Sequence, residues 1–249
     1  MGVCAVIPAF NEGAGIAAIV AAILPVVDRV VVVDDGSGDE TAVNADRAGA
    51  LVLRHELNRG KGAAMQTALA WARSSDPDVL VFVDGDGQHD PADVPLLVAA
   101  VRAGSDIVVG SRFLGTSNVP LYRVFGLHVL SAAAAIGSGI ALTDSQSGYR
   151  ALSRRAIVGL RLREPRFGIE TEMQFEAARL GLSMRELPIE IRYSGPARRS
   201  PVVHGVTVLI DTLRMTASRR PTRFPFLIAT PLHAIRLGRL SGRPAPVPA

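Results

Sequence analysis

The sequence predicts an α/β fold with a mostly parallel central sheet flanked by helices. The first observation is that four short apolar runs alternate with three helix-like segments within the first 90 residues. This alternation is typical of parallel strands joined by right-handed crossovers. The second observation is that polar clusters follow the ends of these runs, as they do at the ligand-binding edge of open sheets. A chain of 249 residues is long enough for one large domain of this kind.

Four strands are predicted in the first third of the chain, from apolar runs at residues 3–7, 30–33, 50–54 and 80–83. Pro8 is expected to stop the first strand. Helices are predicted between the strands, at residues 13–24, 39–48 and 63–74. Asn11 is the expected N-terminal cap of the first helix, and Gly49 is the expected stop of the second.

The rest of the domain is predicted as helices at 91–103, 121–141, 154–160, 170–180 and 204–217, with strands at 106–109, 150–152 and, at an edge, 184–191. Residues 124–143 are uncharged, but three glycines, a histidine and two serines dilute their hydrophobicity. A packed or membrane-facing helix is therefore favoured there over a spanning one. We expect one domain over residues 1–217.

Residues 218–249 form a basic, partly apolar tail in which an apolar stretch at 224–235 is flanked by arginines. Such a segment fits a helix lying in a membrane interface. A surface helix packed on the domain fits equally well, and the sequence leaves both open.

The composition narrows the possible partners and the compartment. A single cysteine, Cys4, excludes a disulfide framework within the chain and indicates a reducing compartment. The net charge is +4, but acids concentrate before residue 100 and arginines after residue 110. A basic second half predicts an anionic partner such as phosphate or lipid headgroups. No zinc-ligand spacing or helix-turn-helix pattern favours nucleic acid, and no signal peptide is visible at the start.

The most informative stretch is VFVDGDGQHD at residues 81–90. An apolar strand runs directly into Asp84 and Asp86, which a glycine separates. Two carboxylates at this spacing can bind one divalent cation, because such cations prefer oxygen ligands. An isolated pair is more often a plain polar turn, so the neighbouring strand ends decide between the two interpretations.

Those neighbouring strand ends supply further polar groups. Glu12 and Asp35 follow the first two strands, and Lys61 lies on the glycine-rich turn after the third. The carboxylates can accept hydrogen bonds from a ribose or a base, and the lysine can contact phosphate oxygens. Together with a metal they predict a nucleotide-diphosphate pocket. The P-loop and dinucleotide-binding glycine patterns are absent from the sequence.

Seven segments occur in the order found in family 2 glycosyltransferases, over residues 3–215. They are VIPAFNE (6–12), VVDDGSGDET (32–41), NRGKGAA (58–64), FVDGDGQHDP (82–91), GSR (110–112), DSQSGYRA (144–151) and a helix with acids at 170 and 172. The sequence most resembles the dolichyl-phosphate mannose synthase and polyprenyl-phosphate glycosyltransferase branch of that family.

The resemblance implies a GT-A type nucleotide-sugar transferase fold and an inverting, Mg²⁺- or Mn²⁺-dependent transfer of a hexose to a polyprenyl phosphate. It implies four groups of site residues. The metal ligands are Asp84, Asp86 and Gln88; the catalytic residues are Asp86, Arg112, Arg123 and Asp144; the donor-binding residues are Pro8, Ala9, Glu12, Asp35, Lys61, Asp84 and Gly85; the acceptor-side residues are Ser147, Arg150, Glu172 and Arg199.

A lipid phosphate is already anionic, so its attack on the sugar needs no strong general base. A hydroxyl acceptor would need one, and Asp90, Asp144 or Glu172 would then be the candidates. Glu170 and Glu172 also fit a structural role as acids in the first turn of a helix. The sequence therefore leaves two alternatives open: transfer to a hydroxyl of a soluble or polysaccharide acceptor, and a non-catalytic nucleotide-sugar binding protein.

The sequence lacks the paired spanning helices that several relatives in this branch carry. We therefore expect a peripheral protein at the cytoplasmic face of the membrane, which visits the membrane surface or docks on a membrane-protein partner.

Overall fold

The computed structural model of the chain describes residues 2–115, 121–166, 168–190 and 201–218, without the side chains of 121–123, 201–204, 206 and 218. A seven-stranded sheet in the order β3-β2-β1-β4-β6-β5-β7 forms its centre. The strands are β1 (Val3–Ala9), β2 (Arg29–Asp34), β3 (Leu51–Arg54), β4 (Val79–Phe82), β5 (Ile107–Ser111), β6 (Arg150–Ser153) and β7 (Met184–Pro188).

The strand directions confirm the predicted, mostly parallel sheet. Every neighbouring pair is parallel except those of β6, which runs antiparallel between β4 and β5. No local pattern in the sequence indicates this reversal, because β6 is short and follows a polar segment. The predicted edge strand is β7, and it pairs in parallel with β5.

The helices described are α1 (Ile16–Ile23), α2 (Thr41–Arg47), α3 (Lys61–Ser75), α4 (Val94–Arg102), α5 (Leu121–Ser138), α6 (Arg154–Gly159), α7 (Ile169–Leu180) and α8 (Pro201–Ser218). They cover both faces of the sheet. Alternate strand residues point to opposite faces, so Val31 packs with α3, α6 and α7 while Val32 packs with α1, α2 and α4. Helix α5 packs on α7 and α8.

Two local predictions near the first strand are wrong. Strand β1 does not stop before Pro8: it continues to Ala9, and Pro8 is paired with Val33 of β2. Proline has no N–H to donate to a neighbouring strand. Strand β1 tolerates Pro8 because its pairing with β4 already ends at Val6.

Asn11 does not cap α1, which begins later than predicted. Its backbone has a positive φ of 55°, and its side-chain oxygen accepts a hydrogen bond from the N–H of Gly38 at 3.0 Å. Asn11 therefore ties the loop after β1 to the loop after β2.

No helix in the described part of the chain is long and apolar enough to cross a bilayer. The proposed tail at 218–249 lies outside the described residues except for Ser218, so the division into domain and tail stays a prediction.

Candidate active site

The loops that follow β1, β2 and β4 meet at the carboxyl edge of the sheet. The Ala9 carbonyl accepts a hydrogen bond from the N–H of Asp35 at 2.8 Å, which joins the first two loops. A side chain added at Gly85 would come within 3.1 Å of the Pro8 carbonyl oxygen and 3.5 Å of Cγ of Glu12. The absence of a side chain at Gly85 thus lets the acidic loop after β4 pack against the loop after β1.

An ion-pair cluster formed by Lys61, Asp84 and Glu170 lies at this edge. The ammonium of Lys61, the first residue of α3, is 2.6 Å from Oδ1 of Asp84 and 2.8 Å from Oε1 of Glu170. Glu170 is in the first turn of α7, where the helix dipole favours a carboxylate. The cluster therefore joins two helix N-termini to the end of β4.

Electrostatics keep both members of the Lys61–Asp84 pair charged at neutral pH. Burial opposes ionisation of Asp84, but the charge of Lys61 and its hydrogen bond outweigh that effect and lower the pKa of the carboxyl to about 2. Burial likewise disfavours the charged Lys61, yet the two carboxylates raise its pKa above the ordinary value.

Gly148 forms the wall of this cluster. A Cβ at this position would lie 2.6 Å from both carboxylate oxygens of Asp84 and 2.7 Å from the Lys61 nitrogen. Only glycine leaves room for the ion pair here. The segment 144–150 is therefore in direct contact with the acidic loop after β4.

The acidic loop is shaped by its own polar groups. Asp86 is exposed, and its Oδ1 accepts the N–H of Gln88 at 3.0 Å. His89 is buried, stacks on Tyr149 with ring centres 4.6 Å apart, and its Nδ1 accepts the N–H of Asp84 at 3.3 Å. Burial lowers the pKa of His89, which favours the neutral ring that this acceptor role requires.

Asp90 ends the loop and caps the short 3₁₀ turn that precedes α4. Its Oδ1 accepts the N–H of Ala92 at 3.0 Å, and its carbonyl accepts the hydroxyl of Tyr149 at 3.0 Å. These bonds give Asp90 a structural role at the helix start.

The donor set fits a divalent cation that is shared with a ligand. In the described part of the chain, no three His, Cys, Asp or Glu side chains converge on one point. The chain therefore offers up to two carboxylates, Asp84 and Asp86, and the amide of Gln88. Mg²⁺ is commonly held in this way, by one or two carboxylates that are completed by phosphate oxygens and water.

Asp35 is buried and accepts several hydrogen bonds from the chain itself. Its Oδ1 accepts from Nδ1 of His55 at 2.7 Å and from the N–H of Arg59 at 2.9 Å, and its Oδ2 accepts from the N–H of Gly60 at 2.7 Å. Asp35 thus positions the turn that carries Lys61. A carboxylate has about four acceptor sites, and these three hydrogen bonds leave about one of them for a ligand. The predicted contact of Asp35 with a nucleoside therefore stays a prediction.

A second charged group joins β5 to the segment 144–150. The guanidinium of Arg112 binds the carboxylate of Asp144 through two hydrogen bonds of 2.6 Å, and the Arg112 N–H adds a third bond at 3.1 Å. Asp144 is fully buried, and its own N–H donates to Glu186 of β7 at 2.8 Å. Arg112 is thus held by the same segment that lies against Asp84 at Gly148, and its positive charge helps to lower the pKa of Asp84.

The predicted acceptor-side residues Ser147 and Arg150 hold the segment together. Arg150 is fully buried, and its guanidinium donates to the carbonyls of Ser145, Ser147 and Glu170. The Ser147 hydroxyl accepts the N–H of Tyr149 at 3.3 Å. These contacts are structural, and a role for either residue toward an acceptor stays a prediction.

The structure does not bring Glu172, another predicted residue, to this cluster. Glu172 accepts the N–H groups of Arg163 and Glu164 at 2.8–3.0 Å and lines a different cleft of about 480 Å³. The side chain of Arg123 and the whole of Arg199 lie outside the described residues.

The sequence does not identify three partners in this region: Glu170 beside Lys61, His55 beside Asp35, and Glu186 beside Asp144. Each is a single polar residue whose partner is far away in sequence, so no local pattern marks it. His55 and Glu170 are buried and Glu186 is partly buried, so the structure is needed to identify their partners.

The comparisons with known proteins agree with this geometry. The model of the family described as glycosyl transferase family 2 matches residues 4–158. The undecaprenyl-phosphate mannosyltransferase of Micrococcus luteus is 33% identical over 88% of this chain and 96% of its own. The UDP-N-acetylglucosamine–dolichyl-phosphate N-acetylglucosaminyltransferase of Methanococcus voltae is 31% identical over 76% of this chain and 85% of its own.

A solved structure resembles the whole fold. Glucosyl-3-phosphoglycerate synthase from Mycobacterium tuberculosis, crystallised with Mn²⁺, UDP and glucosyl-3-phosphoglycerate, superposes with a TM-score of 0.70. It is 26% identical, and the match covers 88% of this chain and 81% of that one. The similarity confirms the GT-A type fold that the sequence predicted.

Proposed function

The chain belongs to glycosyltransferase family 2, and from this we propose that it transfers a hexose from a nucleotide-diphospho-sugar to a polyprenyl phosphate, with inversion. The observation that carries the proposal is the arrangement of two ion pairs, Lys61–Asp84 and Arg112–Asp144, which the segment 144–150 joins. It combines acids for a divalent cation with cations for phosphate at the ligand-binding edge of the sheet. The relatives named for undecaprenyl phosphate and dolichyl phosphate support the lipid acceptor.

The donor would lie over the loops after β1, β2 and β4. The proposed contacts near β1 are Pro8 and Ala9 at its end and Glu12 on the loop after it. Asp35 after β2, Lys61 at the start of α3 and Gly85 on the acidic loop complete the set. The proposed donor is GDP-mannose or UDP-glucose, because no described residue is specific to one nucleotide or one sugar.

Asp84, Asp86 and Gln88 would hold Mg²⁺ or Mn²⁺. A cation bound there supplies positive charge against the diphosphate as it leaves. The Mn²⁺ in the structural neighbour supports this assignment.

The chain supplies the remaining electrostatic stabilisation. Asp144 holds the guanidinium of Arg112 through two hydrogen bonds and fixes its plane before substrate binds. An arginine that is held in place in this way loses little freedom when it contacts a phosphate oxygen. Arg123 is proposed to act on the same phosphates.

In the reaction an oxygen of the lipid phosphate attacks the anomeric carbon of the sugar. The new carbon–oxygen bond forms as the bond to the diphosphate breaks, and the nucleoside diphosphate departs with the electron pair. The acceptor oxygen carries no proton that must be removed, so no side chain has to act as a base. Ser147, Arg150, Glu172 and Arg199 are the proposed acceptor-side residues.

One observation favours a second candidate, transfer to a soluble acceptor. The structural neighbour is named for 3-phosphoglycerate, a small acid, and not for a lipid. A hydroxyl acceptor would need a base from among Asp90, Asp144 and Glu172. Each of these carboxylates accepts hydrogen bonds from the chain itself, which argues against a free base.

A lipid acceptor requires access to a membrane. We propose that the protein works peripherally at the cytoplasmic face, and that either residues 218–249 contact the membrane surface or the protein docks on a membrane-protein partner. The arginines and apolar residues of that stretch support such a contact.

The test is a transfer assay with radiolabelled nucleotide sugars, polyprenyl phosphate in detergent and Mn²⁺. We expect label in the organic extract from one donor and none when EDTA is present. Label that stays in an aqueous glycoside would favour the soluble acceptor. A thermal-shift panel of UDP- and GDP-sugars identifies the donor beforehand, because a ligand that binds only the folded protein raises its melting temperature.

A further inference from the structure

Lys61 is shared between two carboxylates that differ in exposure. The Asp84 side chain is 27% exposed and faces the site, whereas the Glu170 side chain is only 4% exposed. Both contacts are at ion-pair distance, 2.6 Å to Asp84 and 2.8 Å to Glu170. One carboxylate is therefore accessible to an incoming cation, and the other remains beside the lysine.

The surroundings keep this group in place. Gly148 closes one side of the Lys61–Asp84 contact, since even a methyl group there would overlap it. Lys61 opens α3, a position where the helix dipole disfavours a positive charge, so its charge depends on the two carboxylates. Glu170 opens α7, where a negative charge is favoured.

We propose that Lys61 is an exchangeable counter-ion of Asp84, which a divalent cation displaces while Glu170 retains the lysine. Before the cation binds, Lys61 offsets the charge of Asp84. Once the cation binds Asp84, the ammonium stays paired with Glu170 and is freed on its other side to contact the diphosphate. Glu170 is thus a positioning residue that acts through Lys61. This inference rests on the proposed metal site and concerns how that site is filled.

The exchange predicts opposite effects for the two partners. Lys61→Met removes the competitor, so Mn²⁺ should bind about tenfold more tightly, which corresponds to the loss of about 1.4 kcal/mol of competition. Glu170→Gln leaves Lys61 with Asp84 alone, so Mn²⁺ should bind several-fold more weakly. The measurement is a Mn²⁺ titration followed by electron paramagnetic resonance of the free ion, with Mn²⁺ alone, with UDP and with GDP.

Two control variants show how much the loss of a nearby charge alone changes the Mn²⁺ affinity. Arg59→Met removes a cation two residues from Lys61, and Glu176→Gln neutralises an acid on the same helix as Glu170 that pairs with Arg179. Both should change Mn²⁺ affinity less than twofold, because neither charge touches Asp84. Circular dichroism and thermal unfolding identify any variant that has lost its fold.

The double variant decides whether Glu170 acts through Lys61. When Lys61 is already methionine, Glu170→Gln should have little further effect on Mn²⁺ binding. An equal weakening in both backgrounds would mean that Glu170 simply attracts the cation, and this would overturn the proposal. Wild-type binding with no change in Lys61→Met would also overturn it and leave the proposed function intact. No Mn²⁺ binding to any form, even with nucleotide, would overturn both.

Discussion

Asp84 is held by two residues from distant parts of the chain and by one from its own loop. Lys61 pairs with its Oδ1, His89 accepts its N–H, and Gly148 leaves the space in which the pair fits. Asp86, two residues on, is exposed and bonds only within its own loop among the described contacts. The two acids thus have different tasks: Asp84 is fixed by the fold, and Asp86 is accessible to a cation and its ligand.

Replacing Asp86 by asparagine should lower turnover about 100-fold or more, because one charged ligand of the proposed cation is lost. The fold should remain, since Asp86 is exposed and has no distant partner in the described contacts. Steady-state transfer rates with the labelled donor measure the effect. Asp46→Asn, the same change at an exposed position of α2, is the control and should retain full activity.

The Lys61–Asp84 pair also predicts a pH dependence of stability. The folded carboxyl releases its proton near pH 2 and the unfolded one near pH 4, so the pair stabilises the fold fully above about pH 5. The contribution, about 2 kcal/mol, is lost as the pH falls from about 4 to 2. Urea unfolding in EDTA between pH 7 and 3 measures this loss.

Asp84→Asn is the comparison for that titration. Its unfolding free energy should be lower at pH 7 and should fall less steeply as the pH drops below 4. A slope in this variant equal to that of the wild type would show that other carboxyls carry the acid sensitivity.

Among the elements, the segment 144–150 does most to shape the site. It contributes Asp144 to Arg112 and Gly148 to the ion pair, while Arg150 fastens it to the start of α7. Glu186 of β7 anchors its other end by accepting the N–H groups of Thr143 and Asp144. The geometry of the site thus depends on a turn, residues 144–149, that has no regular secondary structure of its own.

Gly148→Ala should strongly impair transfer, because the added methyl group overlaps both Asp84 and Lys61. We expect the ion pair to separate, with a loss of about 1–3 kcal/mol of stability. The control is Gly126→Ala in α5, where a Cβ meets nothing within 4 Å and alanine favours the helix. Both variants are compared by activity and by denaturant unfolding.

The bidentate contact between Arg112 and Asp144 gives a prediction for this segment as a whole. Arg112→Lys keeps the charge but loses the fork, so turnover should fall by about 100-fold, and the unpaired oxygen of the buried Asp144 should cost about 1–3 kcal/mol of stability. Asp144→Asn should have a similar effect, and the double variant should be little worse than either single one. Additive losses would show that the two residues act independently.

The strands of the first half of the fold, and the edge at which the site lies, were predictable from hydrophobic periodicity and from the residues at the strand ends. Apolar runs marked each strand of the first half, and the polar clusters after them do meet at one edge. The reversed β6 was not predictable, because its direction depends on how the long stretch through α5 returns to the sheet. The partners of Lys61, Asp35 and Asp144 depend on contacts between residues far apart in the chain, which local patterns do not show.

Membership of the family indicates the reaction class, glycosyl transfer. The mechanism then depends on the chemical nature of the acceptor. A lipid phosphate attacks as an anion, whereas an alcohol needs a base that the described site does not hold free. The charges of Arg112 and Lys61 suit two phosphate groups that meet at one edge of the sheet. Whether the acceptor offers a phosphate or a hydroxyl group therefore distinguishes this mechanism from transfer to an alcohol.

The most direct measurement compares polyprenyl phosphate with the matching polyprenol as acceptors, using the same donor, Mn²⁺ and detergent. The lipid chain is identical, so only the nucleophile differs. We predict transfer to the phosphate and a rate to the alcohol lower by at least about 100-fold, since removing a proton without a base forfeits a factor of that order. Equal transfer to both, or transfer to the alcohol alone, would contradict the proposed mechanism.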